Sequence, residues 1–227
     1  EALNIKGNPP FPVQLTRNKL MMRELMNQHQ LSVVEYACCH NLEEVQAFWK
    51  KVNGPIVLKP VKGVGSHGIY CIKEEADLEK AWHWSTEKGL PVIAEEFIEG
   101  KEYSVEALTL AGKHQVLAIT EKLTSGEPHF IEVGHQQPAL ISDAERREIE
   151  SLVVRFLDLI KHEVGPSHTE IRLSAKGPKI IESHTRAGGD QIWELTEIVT
   201  GVDMVKQTLE FLLFDQVKTQ VHQQSPA

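Results

Sequence analysis

The chain has 227 residues, 41% of them apolar and 25% charged, with a formal net charge of −8. That is enough for one large domain or two small ones with a buried core, and the acidic balance argues against nucleic acid while leaving room for a nucleotide at a local basic site. No apolar run could span a membrane, no signal peptide is visible, and Cys38, Cys39 and Cys71 show neither metal nor disulfide spacing, which points to a cytoplasmic enzyme with no membrane partner.

The first residues are polar and broken by Pro9, Pro10 and Pro12, so residues 1–15 read as a linker. Thr16 then caps a helix to about His29, with Leu20, Met21, Leu25 and Met26 spaced for one buried stripe. Lys19, in its first turn, reads by itself as a surface lysine. A strand over Val33–Ala37 follows. Asn41-Leu-Glu-Glu44 resembles a capping box opening a helix to about Lys51.

The stretch PIVLKPVKGVGSHGIYCI is a short apolar strand ending in Lys59, a glycine-rich turn over Lys62–Gly68, and a return strand over Ile69–Ile72. Three glycines with Ser66 let backbone N–H groups close on an anion. The pattern is not a Walker loop, because no Gly-Lys-Ser/Thr leads into a helix.

A helix over Glu75–Glu87, a strand over Pro91–Phe97 ending in Glu95-Glu96, and a hairpin of Glu102–Leu110 with Lys113–Glu121 come next. Lys122–Pro138 is polar, and places Lys122, His129, Glu132 and His135 on a loop or broken strand. Ser142-Asp-Ala-Glu145 caps an amphipathic helix carrying Ile149, Leu152, Val153, Phe156, Leu157 and Ile160. After a further hairpin, one helix runs through Ile198 and another from about Asp203 to Phe214.

That further hairpin joins HTEIRL to PKIIESH through Ser174–Gly177. In a plain register Glu170 faces Glu182, His168 faces His184 and Arg172 faces Ile180. Two opposed carboxylates about 5 Å apart repel by about 3 kcal/mol at an effective dielectric near 20. Either a cation lies between them or one holds a proton. Three readings stand: a solvated strand face, a zinc cage of His168, Glu170, Glu182 and His184, and magnesium holding a polyphosphate beside Arg186 and Gly188-Gly189.

LKPVKGVGSHGIY, VIAEEFIEGKEYSVE, HTEIRL and IIESHTRAGGD, in that order from about Thr16 to Phe214, resemble the ATP-grasp fold. The resemblance implies an α+β architecture of two subdomains with ATP between them. The lid would be residues 16–96 and the carboxyl-terminal core residues 97–227. It also implies that a further amino-terminal domain precedes the linker and that the core is truncated.

Matched residue by residue, Lys19 and Lys59 would contact phosphate, and the Lys62–Gly68 turn with Ser66 and Gly68 would be the mobile phosphate loop. Glu95, Glu96 and Phe97 would form the adenine hinge, and Glu102 would take the ribose hydroxyls. Glu170, Glu182 and His184 would hold magnesium, or manganese in its place. Histidine departs from the family's asparagine there, and an imidazole nitrogen is a poorer magnesium ligand than an amide oxygen. Arg186 would act beside the transferred phosphoryl group.

The implied chemistry is an ADP-forming ligase that joins a small carboxylate to an amine through an acyl phosphate. FIEVGHQQPA resembles the branch acting on amino acids, with dipeptide ligases and carnosine-synthase-like enzymes. In it Glu132 would bind the substrate amine, with His135 beside it. A biotin-carboxylase-type enzyme, which that motif disfavours, and a nucleotide-binding regulatory module without turnover are the other readings.

Overall fold

The computed structural model describes residues 7–63, 67–87, 89 and 91–215. The expected linker is a short helix in part: α1 spans Pro10–Thr16. Its prolines fall in the first turn, where the N–H groups have no intrahelical acceptor, so they do not break it. Asn8 ties this segment down, its Oδ1 accepting from the N–H groups of Glu163 and Val164 at 2.9 Å each. Thr16 ends α1 instead of capping the next helix, its hydroxyl donating to the Pro12 carbonyl at 2.9 Å. The cap of α2 (Lys19–Gln28) is Asn18, which accepts from the Met21 N–H.

The described residues cluster into two compact units. One, here called the lid unit, draws on Arg17–Glu99 and Leu123–Gly134; the other, the core unit, draws on Glu1–Thr16, Gly100–Lys122 and His135–Ala227. Residues 97–99 and 123–134, expected in the core, therefore go with the lid unit.

The lid unit is built on an antiparallel sheet of β1 (Tyr36–Cys39), β2 (Ile56–Pro60), β3 (Tyr70–Ile72) and β4 (Val92–Glu96), in the order β1-β4-β2-β3. Alternation sends Ile56, Leu58, Tyr70, Ile72, Val92 and Ala94 to one face. There they meet Val45 and Phe48 of α3 (Leu42–Val52) and Leu78 and Ala81 of α4 (Leu78–Thr86). Asn41 caps α3 by accepting from the Glu44 N–H, and Glu44 answers to the His40 N–H. The turn after Thr124 packs along β3: Cys71 N–H donates to the Pro128 carbonyl, Lys73 pairs with Glu127, and Phe130 stacks on Phe97.

The second sheet has the order β7-β6-β5-β8-β9. Its strands are β5 (Lys101–Leu110), β6 (Lys113–Thr124), β7 (Glu132–Gln136), β8 (Gly165–Ser174) and β9 (Gly177–His184). The stretch expected as a loop or broken strand is thus the end of β6, a turn and β7. α5 (Asp143–Leu159) opens with the full Ser142/Glu145 capping box and buries Ile149, Leu152, Val153, Phe156 and Leu157. α6 (Ile192–Thr200) and α7 (Met204–Phe214) follow, and α7 packs Met204 and Phe211 with Leu108, Leu110, Val164 and Val202. No helix among the described residues is long and apolar enough to cross a membrane.

Candidate active site

In the lid unit, Lys59 and Glu95 sit on the sheet face opposite the apolar cluster. β2 and β4 pair Lys59 with Ile93 and Val57 with Glu95, so the two charged side chains are diagonal neighbours. Lys59 Nζ pairs with Glu95 Oε2, and Arg23 Nε of α2 donates to Glu95 Oε1 at 2.6 Å. All three are buried. Burial alone would raise the Glu95 pKa, but the Arg23 and Lys59 charges hold it below the ordinary carboxylate value. Glu95, expected at an adenine hinge, thus spends its side chain on positioning Lys59. The N–H groups of Glu96 and Phe97 donate to the carbonyls of Glu35 and Pro55.

Lys19 is buried, not a surface residue. Its backbone N–H donates to the Val61 carbonyl and its Nζ to the Gly63 carbonyl at 3.2 Å. That pins the start of α2 to the entry of the glycine-rich turn. Gly68 closes the turn at φ +79, and a Cβ there would lie 2.7 Å from the Pro60 ring. Ser66 lies outside the described residues.

The core unit carries a denser set. Registers across β6, β5, β8 and β9 align Glu102 with Arg172, Thr120 with Ser104, Glu170 and Glu182, and Ala118 with Glu106, His168 and His184. The facing of Glu170 to Glu182 and of His168 to His184 is as the alternation dictates. Arg172 faces Lys179 instead of Ile180, because a bulge between Glu170 and Ile171 shifts the register. Arg172 Nη2 meets Glu102 at 3.0 Å.

Lys122 links two of the rows, reaching Glu102 at 3.3 Å and Glu170 at 2.8 Å. His168 Nδ1 meets Glu106 at 2.6 Å and its Nε2 faces Glu170 at 3.4 Å. Arg172, Glu102, Lys122, Glu170, His168 and Glu106 therefore form a chain of alternating sign. Burial alone would lower the His168 pKa, but Glu106 and then Glu170 raise it to about 10. Burial would likewise raise that of Glu170, and Lys122 and His168 hold it well below the ordinary range.

This chain bears on the readings of the carboxylate pair. The side chains of Glu170 and Glu182 are only 18% and 14% exposed, so the face is not splayed into water. His168 turns both ring nitrogens to carboxylates and has none left for zinc. The protein itself supplies the cations that offset the repulsion. The opposed pair of hard oxygen donors, partly accessible and with Glu170 held ionised, has the donor chemistry that suits magnesium or manganese. His184 Nε2 lies 2.7 Å from Glu182 Oε1, where it orients that carboxylate.

Beyond β9, Arg186 is exposed and donates from Nη1 to the Ala187 carbonyl at 2.7 Å. Gly188 lies against the buried pair: a Cβ there would come 2.9 Å from His168 Nδ1 and 3.2 Å from Glu106 Oε2. Glu132 and His135 are half-buried on β7. Arg23 and Glu106 are residues of these sets that motif reading did not single out, and Lys122, expected on a loop or broken strand without a role, lies in β6. The one signal for Lys122 was parity, since it continues the Ala118, Thr120 alternation of β6.

Residues 52–194 match the model of the ATP-grasp domain family. The alanine–anticapsin ligase of Bacillus subtilis is 26% identical over 94% of this chain and 50% of its own length. The D-alanine–D-alanine ligase of Flavobacterium johnsoniae is 30% identical over 61% of this chain and 45% of its own. Among solved structures, an L-amino acid ligase from Bacillus licheniformis superposes with a TM-score of 0.81 at 29% identity, covering 94% of this chain and 51% of that one. The chain spans about half the length of the curated relatives it matches.

Proposed function

We propose that this chain, which belongs to the ATP-grasp family, carries the nucleotide- and metal-binding part of an ATP-dependent carboxylate–amine ligase. The observation that carries this reading is the Glu170–Glu182 pair, opposed across a partly buried sheet face, with Glu170 kept ionised by Lys122 and His168. Ligases of amino acids among the similar proteins favour amino acids as the carboxylate and amine substrates.

In this reading Lys59 and Lys19, beside the Lys62–Gly68 turn, take the polyphosphate, and Glu102 takes the ribose. The Glu95–Phe97 backbone lies against adenine. Glu170 and Glu182 hold magnesium, and His184 holds Glu182. Magnesium held there would neutralise charge on the phosphates. A substrate carboxylate oxygen attacks the γ-phosphorus, the bond to the β-phosphate oxygen breaks, and ADP leaves. The amine nitrogen then attacks the acyl carbon, phosphate leaves with the bonding electrons, and the nitrogen gives up a proton. Lys59 and Arg186 stabilise the charge that develops on the moving phosphoryl group, and Glu132 and His135 face the substrate amine. Positioning and charge neutralisation do most of this work.

Calorimetric titration of the chain with a non-hydrolysable ATP analogue and magnesium tests the nucleotide half, and phosphate release over a panel of amino-acid pairs tests the ligase half. Saturable, magnesium-dependent binding and pair-dependent phosphate release are expected. Failure to bind the analogue overturns the reading, and phosphate release that ignores the amine overturns the ligase assignment.

A further inference from the structure

We propose that the Glu106–His168 pair is a positioning device for the metal carboxylate Glu170, a role that rests on the proposed reading of Glu170 and Glu182 as magnesium ligands. Glu106 is fully buried and His168 nearly so, and they meet at 2.6 Å. The other edge of the imidazole faces Glu170 at 3.4 Å. Lys122 approaches Glu170 as well, at 2.8 Å. The carboxylate is therefore fixed by contacts from β6 and from its own strand.

A purely structural role explains the pair poorly. Burying a carboxylate is costly, and replacing a buried ion pair by apolar residues of similar volume is often neutral or stabilising. Here the cost is not fully offset, since Glu106 Oε2 has no hydrogen-bond partner among the described residues, nor has the neighbouring Ser104 hydroxyl. The backbone of Gly188 closes against the same pair, where any Cβ would collide with His168 Nδ1. The turn that follows β9 is thus shaped around Glu106 and His168. A carboxylate whose orientation is fixed from behind loses less freedom on meeting a cation, and groups behind a ligand typically contribute about 10- to 100-fold to metal affinity.

The test measures Mn2+ affinity by the electron paramagnetic resonance signal of free Mn2+, with a saturating non-hydrolysable ATP analogue. Analogue affinity in EDTA and thermal stability are measured in parallel. Glu106→Gln keeps shape and removes charge; the double variant Glu106→Leu/His168→Met makes the site apolar; Glu182→Gln is the reference for loss of a ligand. The expected result is Mn2+ binding weakened about 10- to 100-fold in Glu106→Gln and in the double variant. Metal-free analogue affinity stays unchanged, and the double variant is at least as stable as the parent. Parent-like Mn2+ affinity in either folded variant overturns the proposal. If the double variant does not fold, Glu106→Gln decides. A parent chain whose Mn2+ binding is indifferent to Glu182→Gln would overturn the metal reading of the site itself, a different failure.

Discussion

Both units bury ion pairs on one face of an antiparallel sheet, and they end with opposite surpluses. In the lid unit one carboxylate, Glu95, lies between two cations, Arg23 and Lys59. In the core unit the signs alternate from Arg172 to Glu106, and Glu182 stands opposite Glu170 as one carboxylate more. The first arrangement orients a lysine and keeps positive charge for a polyanion. The second neutralises one carboxylate from behind and leaves a pair of oxygen donors for a cation. Each unit thus pre-organises the charge that its proposed ligand lacks, and the two can be broken separately.

The largest effect is expected from emptying the centre of the lid triad. Glu95→Ala strands Arg23 and Lys59 as buried charges, and breaking a buried pair from one side costs about 3–5 kcal/mol. Urea denaturation of the variant measures this. A loss below about 1 kcal/mol would show that the cations find water or other partners, and that Glu95 is not what holds Lys59.

In the core unit the corresponding break separates function from stability. Glu182→Gln should cut ATP turnover by about 10²- to 10³-fold, the scale of one lost electrostatic contact in a pre-organised site. Like-charge repulsion alone would have made this variant more stable, but Lys122 and His168 already offset Glu170. Thermal stability without metal should therefore move by less than about 0.5 kcal/mol, as for an ordinary partly exposed substitution. Parent-like ADP formation at limiting magnesium would remove Glu182 from the metal site.

The contrast also shows which features a sequence discloses. The Glu170–Glu182 facing follows from strand period and a tight turn, both local. The bulge after Glu170 does not, because it depends on how β8 and β9 are held by their neighbours. In α2 the buried stripe is Lys19, Met22, Arg23 and Met26, not the expected Leu20, Met21, Leu25 and Met26. The spacing is helical, but two of the four residues are cations whose burial depends on partners 44 and 72 residues away. Glu106 was likewise hidden, as its only sign is a charge inside an apolar strand. Apolar periodicity finds cores; long-range ion pairs break the pattern at the positions that orient the site.

A smaller loss is expected at the edge of the lid triad. Lys59→Met leaves Glu95 still paired with Arg23, so the fold keeps its main contact. The charge-assisted contact to phosphate is lost, worth about 1.5–3 kcal/mol, or roughly 10- to 100-fold in nucleotide affinity. Titration with ATP should show this with little change in metal-free stability. Unchanged affinity would detach the triad from phosphate binding.

A further effect is expected on the pH dependence of stability, because the core unit contains histidines shifted in opposite directions. The His168 pKa is raised from 6.5 to about 10 in the fold. Its stabilisation is complete below pH 6.5 and is lost as pH rises from there toward 10. His114 and His162 are shifted the other way: burial lowers both, only partly opposed by Asp158 for His114 and by the Gly165 carbonyl for His162. Their contribution is complete above pH 6.5 and is lost as pH falls below it, since the unfolded chain then binds protons that the fold resists. The two limbs meet near pH 6.5, so stability should be greatest there and fall on both sides. Urea midpoints between pH 5 and 9 would trace this dome. His162→Phe should flatten the acid limb and leave the alkaline limb in place, whereas Glu106→Gln should flatten the alkaline limb. An acid limb that persists unchanged in His162→Phe would assign the loss to other groups.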